Sequence, residues 1–191
     1  MNTKPLIDFL LQFGDLNKQQ IDLINDSVIA RSYKTGEYFM EAGQVPREIA
    51  FTLEGIFRVC YYDKHGNEVT KHFVEEHSFM VDIESYNSGL CSTRYVQAVT
   101  DCEVLILSKA TMENLSQTII VWDAIISKVT TKALAQKMER IMAMFPQDAT
   151  ERYLTFLEKY PNLANRIPLQ FIASYIGITK HSLSRIRKNI R

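Results

Sequence analysis

The segment that decides the fold is PLQFIASYIGITKHSLSRIRKNI, residues 168–190, near the C-terminal end of the chain. Apolar residues recur at spacings of three and four on both sides of Gly177, which predicts two short helices over residues 168–176 and 180–190. Gly177 between them can adopt the left-handed backbone conformation without a steric penalty. Thr179 stands where an N-cap is expected, because its hydroxyl can accept from the first free N–H groups of the second helix. The segment therefore predicts a helical hairpin with a tight turn.

The apolar positions of the two predicted helices fit helix-turn-helix packing. Ala173 is small enough for the second helix to cross closely, and Ile178 can fill the corner of the turn. Leu183, Ile186 and Ile190 are spaced to form the inner stripe of the second helix. The spacing from the small residue to the glycine and on to the first leucine matches the geometry of a helix-turn-helix unit.

The second predicted helix presents a polar, basic face opposite its apolar stripe. Arg185 on this face can pair bidentately with a guanine, and Lys180 and His181 can reach bases or phosphates. Lys188 and Arg187 suit phosphate contacts, which fix register without reading sequence. The candidate DNA-binding residues are Thr179, Lys180, His181, Ser182, Ser184, Arg185, Arg187 and Lys188. The same pattern also fits an ordinary capped hairpin whose charges are only solvated, so this alternative stays open.

The charges of the chain are segregated along its length. The sequence has 22 Lys and Arg and 22 Asp and Glu, so its formal net charge is zero. Every acidic residue lies in residues 1–160, whereas residues 161–191 contain six basic residues and no acidic one. This segregation indicates a separate basic module on an acidic body. A solvated basic helix would give the same charge count, so the pattern of the residues decides between the two interpretations.

Residues 28–107 have the pattern of an all-β unit. Short runs rich in β-branched and aromatic residues alternate with turns about 8–12 residues apart, which favours a barrel or roll. The clearest hairpin turn is DKHGNE, which contains Gly66. Residues 5–29 are predicted to be helical, with Asp15 or Asn17 as the cap of a second helix. The predicted strands lie in the runs VIARSY, EYFM, IAFTLEG, IFRVCYY, EVTKHFV, TRYVQAV and EVLIL.

A long helix is predicted over residues 118–145, because no glycine or proline occurs there before Pro146. It carries two apolar stripes, and the first steps by four and three, close to the repeat of a coiled coil. We expect one stripe to meet a second copy of the chain; packing of both stripes inside one subunit is the alternative. The candidate dimer residues are those of the first stripe, Trp122, Ile126, Val129 and Ala133. The second stripe consists of Leu134, Met138, Ile141 and Phe145.

The order of these parts, an all-β unit, a long helix and a helix-turn-helix, resembles the CRP/FNR superfamily of bacterial transcription regulators. The segment YKTGEYFMEAGQVPREIAFTLEGIFRVCYYDKHGNEV, residues 33–69, is similar to the family's cyclic-nucleotide-binding-type roll. The glycines at the expected turns are Gly36, Gly43, Gly55 and Gly66. The resemblance covers nearly the full length of the chain.

The resemblance implies an α+β fold. It implies a cyclic-nucleotide-binding-like β-roll sensor domain at residues 1–117, double-stranded and jelly-roll-like with flanking helices. A long dimerisation helix then occupies residues 118–145, and an all-α helix-turn-helix DNA-binding domain occupies residues 146–191. The family also implies a homodimer whose recognition helices enter successive major grooves, about 34 Å apart, of a near-palindromic double-stranded DNA site. RNA polymerase is implied as a further partner.

Cyclic-nucleotide-binding members of the family carry a Gly-Glu-Leu step and, further on, Arg-Ser-Ala. The Glu accepts from the ribose hydroxyl, while the Arg and a hydroxyl hold the cyclic phosphate. Ungapped alignment puts Val81-Asp82-Ile83 and Ser92-Thr93-Arg94 at these positions, so the candidate pocket residues are Asp82, Ile83, Ser92, Thr93 and Arg94. Because Ser92 occupies the phosphate-binding Arg position, we expect no cyclic AMP binding in the usual mode. An unknown effector stays possible.

Other sensing chemistries find little support in the sequence. Cys60, Cys91 and Cys102 are scattered and cannot supply the four thiolates of an iron–sulfur cluster. Their odd number argues against a disulfide framework and favours a reducing cytoplasm. No convincing spacing for haem or metal ligands is found among His65, His72, His77 and Met80, so no metal site is predicted.

Catalysis and membrane insertion are also disfavoured. The chain has no nucleophile elbow, P-loop, HExxH motif or paired carboxylates, so we expect no enzyme activity. No apolar run reaches the roughly 18–20 residues that a membrane helix needs, so no membrane partner is expected. The leading hypothesis is a sequence-specific DNA-binding transcription regulator. The alternative is a small-ligand-binding or interaction module whose helix-turn-helix is structural.

Overall fold

The computed structural model describes residues 2–144 and 148–190. Phe145 of the second stripe and the helix-breaking Pro146 lie outside the described residues. The helices are α1 (Lys4–Leu10), α2 (Lys18–Ser27), α3 (Ile83–Ser88), α4 (Lys109–Thr118), α5 (Trp122–Met144), α6 (Ala149–Lys159), α7 (Leu169–Ile176) and α8 (Lys180–Asn189). The strands are β1 (Ile29–Tyr33), β2 (Tyr38–Met40), β3 (Glu48–Glu54), β4 (Phe57–Tyr62), β5 (Glu68–Val74), β6 (Phe79–Met80), β7 (Tyr95–Ala98) and β8 (Cys102–Ser108).

The roll consists of two antiparallel sheets, with strand orders β1-β8-β3-β6 and β2-β7-β4-β5. Their facing sides enclose an apolar core that includes Phe57, Val96, Ala98 and Ile106. Val96 and Ala98 are both buried because alternate residues of a strand share one face. The seven predicted runs correspond to β1–β5, β7 and β8, and the turn at Gly66 joins β4 to β5 as predicted. The α+β fold with a β-roll is thus confirmed.

The sequence does not predict β6 and α3, which lie between β5 and β7. Strand β6 has two residues and pairs with β3, with Met80 opposite Ala50. Helix α3 has six residues and is capped by Gly89, which follows it with a left-handed φ of 72°. Both elements are too short for a periodic pattern to reveal them.

The N-terminal helices cover the outer side of the first sheet. Leu6 of α1, Ile24 of α2 and Trp122 of α5 are buried in one apolar cluster with residues of that sheet. Asn17, one of the two predicted caps, begins α2 by accepting from the Gln20 N–H at 2.9 Å. The Gln20 side chain accepts in return from the Asn17 N–H, which completes a capping box.

The long helix starts later than predicted. Helix α4 extends to Thr118, and residues 119–121 make the turn into α5, so the helix predicted from residue 118 begins at Trp122. None of the helices in the two described ranges is both long and apolar enough to cross a membrane.

The first stripe of α5 packs largely within its own subunit. Trp122 is 1% exposed, enclosed by the N-terminal helices and the first sheet, so its assignment as a dimer contact is wrong. Ile126 and Val129 are half-buried against the same cluster. Ala133 is exposed. The periodicity correctly identified an apolar stripe, but the surface that covers its first turns belongs to the same chain.

Helices α6, α7 and α8 pack against the outer side of the second sheet. One cluster joins Ile56, Phe73 and Val99 of the roll to Phe156 of α6 and Tyr175 of α7. The C-terminal helices therefore share a core with the roll, and the position of the helix-turn-helix is fixed by contacts within one chain.

Candidate DNA interface and ligand pocket

The turn between α7 and α8 forms as the sequence predicts. Gly177 has a φ of 74°, in the left-handed region, and Ile178 N–H donates to the Ala173 carbonyl oxygen at 2.9 Å. The Thr179 hydroxyl accepts from the Ser182 N–H at 3.1 Å and so caps α8. These bonds satisfy backbone groups at both helix ends and hold the two helices at a defined angle.

The inner side of α8 is shorter than predicted. Leu183 is fully buried and Ile186 packs partly against the same cluster. Ile190 is 42% exposed, because α8 ends at Asn189 and this residue follows its last turn. Its assignment to the inner stripe is therefore wrong.

The outer side of α8 presents a basic surface. Lys180, His181, Arg185 and Lys188 are exposed, as is the capping residue Thr179. Half-buried positions at the margins are Ser182, Ser184 and Arg187. None of the salt bridges found between described residues involves a cation of α8. The positive charge of this surface is therefore available to an anionic partner.

The predicted pocket residues meet around a buried carboxylate. Asp82, just before α3, is 6% exposed and accepts from the Ser92 hydroxyl at 2.7 Å. Arg94 Nη1 donates to the other oxygen of Asp82 at 2.8 Å. The Ser85 hydroxyl, which the sequence did not single out, lies 3.4 Å from Asp82 Oδ2.

Three of the five predicted pocket residues are therefore joined by direct hydrogen bonds: Asp82, Ser92 and Arg94. Ile83 is half-buried at the start of α3, and Thr93 is exposed. Hydroxyl and guanidinium groups are typical hydrogen-bond donors to a phosphate. Here the Ser92 hydroxyl and the Arg94 guanidinium donate instead to the Asp82 carboxylate of the same chain.

Two further cations, Lys71 and Lys137, lie near this cluster, and the sequence did not predict them. Burial, and next the charges of Arg94 and Lys137, lower the pKa of the Lys71 amine. Lys71 belongs to β5 and Lys137 to α5, so only the fold brings them towards Arg94. Glu84 Oε2 lies 3.7 Å from Arg94 Nη2 at the exposed side of the cluster.

The second half of α5 carries an apolar stripe that the other residues described in the structure leave about half exposed. Residues 131–139 are all exposed. Leu134 is 48%, Met138 56% and Ile141 42% exposed, at spacings of four and three that put them on one face. The uncovered stripe is thus the second one, not the first.

The cysteines and histidines do not assemble into a cluster. Cys60 and Cys102 are buried, Cys91 is exposed, and all three are free thiols. Within the described ranges, no group of three or more His, Cys, Asp or Glu side chains could hold a metal ion.

Comparisons with known proteins agree with this architecture. The model of the cyclic nucleotide-binding domain family matches residues 30–118. FixK2 from Bradyrhizobium japonicum is similar in structure, with a TM-score of 0.74 and 16% identity over 85% of this chain and 84% of FixK2. CLP from Xanthomonas campestris, a c-di-GMP-responsive global regulator, has a TM-score of 0.72 and 16% identity over 91% of each chain.

A third similar structure is that of a protein described as a transcriptional regulator of the CRP/FNR family from Eubacterium rectale. It has a TM-score of 0.69 and 16% identity, over 92% of this chain and 83% of the other. No curated protein sequence matches the chain. Residues 30–118 therefore form a cyclic nucleotide-binding-type domain, and the chain shares its fold with these three structures, in agreement with the α+β fold that the resemblance implied.

Proposed function

We propose that the protein is a homodimeric, sequence-specific DNA-binding transcription regulator of the CRP/FNR type, and not an enzyme. The observation that carries this proposal is α8, a capped helix whose exposed side chains include Lys180, His181, Arg185 and Lys188. DNA has a high density of negative charge, so an unneutralised basic helix of this kind favours a phosphate-rich partner.

Each candidate DNA-binding residue of α8 and its cap has a role in the proposed complex. Arg185 pairs with a guanine edge, and Lys180 and His181 contact bases or phosphates at the N-terminal end of α8. Lys188 and Arg187 bind phosphates and fix the orientation of the helix. Thr179 holds the first turn through its cap and, with Ser182 and Ser184, offers hydroxyls to the same groove.

The proposed dimer forms through the second half of α5. The exposed stripe of Leu134, Met138 and Ile141 is apolar, and its spacing suits a coiled-coil seam with a second copy. A two-fold dimer presents two α8 helices, which suits a near-palindromic site with half-sites about 34 Å apart. RNA polymerase is the proposed partner at the promoter, and the cytoplasm is the proposed location.

Control by cyclic AMP in the usual mode is not part of the proposal. A cyclic phosphate that approached Arg94 and Ser92 would compete with the Asp82 carboxylate, which already accepts from both. Displacing a buried hydrogen-bonded carboxylate costs free energy, and the two anions repel each other. The pocket is therefore better suited to a different effector, or to none.

Selection from a library of random duplexes tests the proposed function. We expect enrichment of one motif with two-fold symmetry, and binding that weakens linearly on a plot of log affinity against log salt. Failure to enrich any motif would favour the alternative, an interaction module with a structural helix-turn-helix.

The dimer has a separate test. We expect a molar mass twice the chain mass of 22.1 kDa at micromolar concentration. Leu134→Glu with Met138→Glu should convert the protein to monomer, because charges in the seam lose hydration without a partner. Gln136→Glu, on the opposite side of the same helix, is the matched control and should stay dimeric. A monomeric wild type would contradict the dimer.

A further inference from the structure

The outer side of the second sheet contains a buried cation that the proposed function does not use. Arg58 of β4 is 2% exposed. Its guanidinium is bound in a fork by the Glu68 carboxylate, with Nη2 2.8 Å from Oε2, and it donates through Nε to the Gln97 side chain at 2.9 Å. An arginine held this way presents a fixed, planar face.

The residue that covers this face comes from the helix-turn-helix. The ring of Phe171, in the first turn of α7, lies over the Arg58 guanidinium with its centroid 3.7 Å from Cζ. A cation is attracted to the face of an aromatic ring, and the attraction is stronger when water is excluded. The contact thus joins the roll and the helix-turn-helix in one defined geometry.

A second contact closes the open edge of the same sheet. Strand β5 is an edge strand, so backbone groups along its free side lack a neighbouring strand. Ser174 of α7 satisfies two of them: its Oγ accepts from the Thr70 N–H at 2.8 Å and donates to the Glu68 carbonyl oxygen at 2.9 Å. Helix α7 therefore stands where a further strand could pair.

Apolar and ionic contacts extend the same junction. The Phe73 ring of β5 packs against Tyr175 of α7, with centroids 5.6 Å apart, and against Phe156 of α6 at 6.2 Å. Beyond them Arg166, in the segment before α7, binds the carboxylate of Glu76, two residues after β5. The junction therefore contains stacking, hydrogen bonds, apolar packing and an ion pair.

We propose that one surface of the roll is a docking seat for the helix-turn-helix and fixes α8, the reading helix, relative to the roll of the same chain. The seat consists of Arg58, Glu68, Thr70 and Phe73, and Arg58 is its positioning residue. While α7 is docked, Lys180, Arg185 and Lys188 of α8 stay exposed. The seat therefore keeps this basic surface of α8 exposed and sets the distance and angle of α8 relative to α5. In a dimer this geometry selects the spacing between the two DNA half-sites.

The inference rests on the proposed DNA binding, but the docking itself can be measured without DNA. Arg58→Met keeps the length of the side chain and removes its charge and planar face. Phe171→Leu tests the same contact from the other side and keeps an apolar cover. Arg31→Met is the matched control, because Arg31 also binds a glutamate, Glu48, in a fork, but on the other sheet.

Hydrogen exchange followed by mass spectrometry measures the docking. In Arg58→Met and in Phe171→Leu we expect amide exchange over residues 68–74 and 169–176 to rise about tenfold or more, because exchange reports local opening. Arg31→Met should exchange there like the wild type. Near-ultraviolet circular dichroism checks that each variant is folded; if Arg58→Met fails to fold, Phe171→Leu decides the question.

The preference for one spacing between the two DNA half-sites measures the effect of docking on DNA binding. Duplexes carrying the selected motif, with the spacer lengthened or shortened by a few base pairs, are compared for binding. The wild type and Arg31→Met should prefer one spacing, whereas both seat variants should lose most of that preference while still binding a single half-site. Unchanged exchange, or raised exchange with the spacing preference retained, would overturn the seat. Absence of DNA binding by the wild type would instead overturn the proposed function, and the exchange measurement would still decide the docking.

Discussion

Three arginines of the roll and the cations of α8 have opposite surroundings. In the roll, Arg31 binds Glu48, Arg58 binds Glu68 and Arg94 binds Asp82, each within hydrogen-bonding distance. On α8, the exposed Lys180, Arg185 and Lys188 enter no salt bridge with any residue that the structure describes, and residues 161–191 contain no acid.

This difference separates structural cations from cations available to a ligand. An anion that binds Arg94 competes with the buried carboxylate of Asp82 for the guanidinium, and any hydrogen bond that this carboxylate gives up is lost in exchange. An anion that binds α8 displaces only water and counterions, whose release favours binding. The chain thus has a cyclic nucleotide-binding-type domain at residues 30–118, while the basic surface proposed to bind DNA lies outside it, on α8.

Charge reversal on α8 should give the largest effect. We expect Lys180→Glu with Lys188→Glu to weaken binding to every duplex on the order of 100-fold at moderate salt, because two attractive phosphate contacts become repulsive. The slope of log affinity against log salt should also become shallower. Fluorescence anisotropy of labelled duplexes measures both quantities.

The control for this change alters the same net charge elsewhere. Lys4 and Lys18 are exposed on α1 and α2, which cover the first sheet, whereas α8 belongs to the helices packed on the second. Lys4→Glu with Lys18→Glu should keep affinity within a few-fold of the wild type. An equal loss in both double variants would mean that overall charge, not the α8 surface, governs binding.

Removal of the roll's buried carboxylate should give the next largest effect. We expect Asp82→Ala to lower the free energy of unfolding by about 1–3 kcal/mol, because Arg94 and Ser92 lose their acceptor. Asp82→Asn should cost less, since one oxygen can still accept. Urea denaturation gives the two values; a cost below about 0.5 kcal/mol for Asp82→Ala would contradict the account of a structural ion pair.

The ion pair between Arg166 and Glu76 should give the smallest effect, and one that depends on pH. Burial raises the pKa of Glu76 and is the largest single influence on it. The hydrogen bond and charge of Arg166, together with backbone N–H donors that include Gly55, outweigh burial in sum and leave this pKa below its ordinary value of 4.5. The stabilisation is therefore present in full above pH 4.5 and is lost as pH falls through the lower folded-state value. For a half-exposed pair we expect less than about 1 kcal/mol.

Comparison with Glu76→Gln isolates this contribution. The difference in unfolding free energy between wild type and variant should be positive and constant from pH 7 to about 5 and should shrink on further acidification. A difference that grows as pH falls would show that the sign of the Glu76 contribution is wrong.

Local sequence patterns predicted the helix-turn-helix of α7 and α8. They did not predict two short elements of the roll or the packing of the long helix. Gly177 and Thr179 define the α7–α8 turn within a few residues, so the local sequence was enough to predict the turn and its cap. Strand β6 and helix α3 escaped because two and six residues carry no measurable period. The apolar stripe of α5 was visible, but periodicity does not say that α1 and α2 cover Trp122.

The sequence did not predict the docking seat, for a similar reason. Arg58 lies in the apolar run IFRVCYY and carries no sign that Phe171, more than one hundred positions later, covers it. The ligand pocket was predicted only in part. Its residues were found through a family motif, but the bonds from Ser92 and Arg94 to Asp82 depend on how the chain folds between them.

The most direct test of the central claim is the affinity and site preference of Arg185→Ala. Wild type, Arg185→Ala and the control Arg31→Ala are titrated against the selected duplex and against duplexes with single base changes in each half-site. We predict that Arg185→Ala binds the selected duplex about 10- to 100-fold more weakly, the equivalent of roughly 1–3 kcal/mol, and no longer discriminates at one base pair of each half-site. Unchanged affinity together with unchanged discrimination would contradict the assignment of α8 as the reading helix.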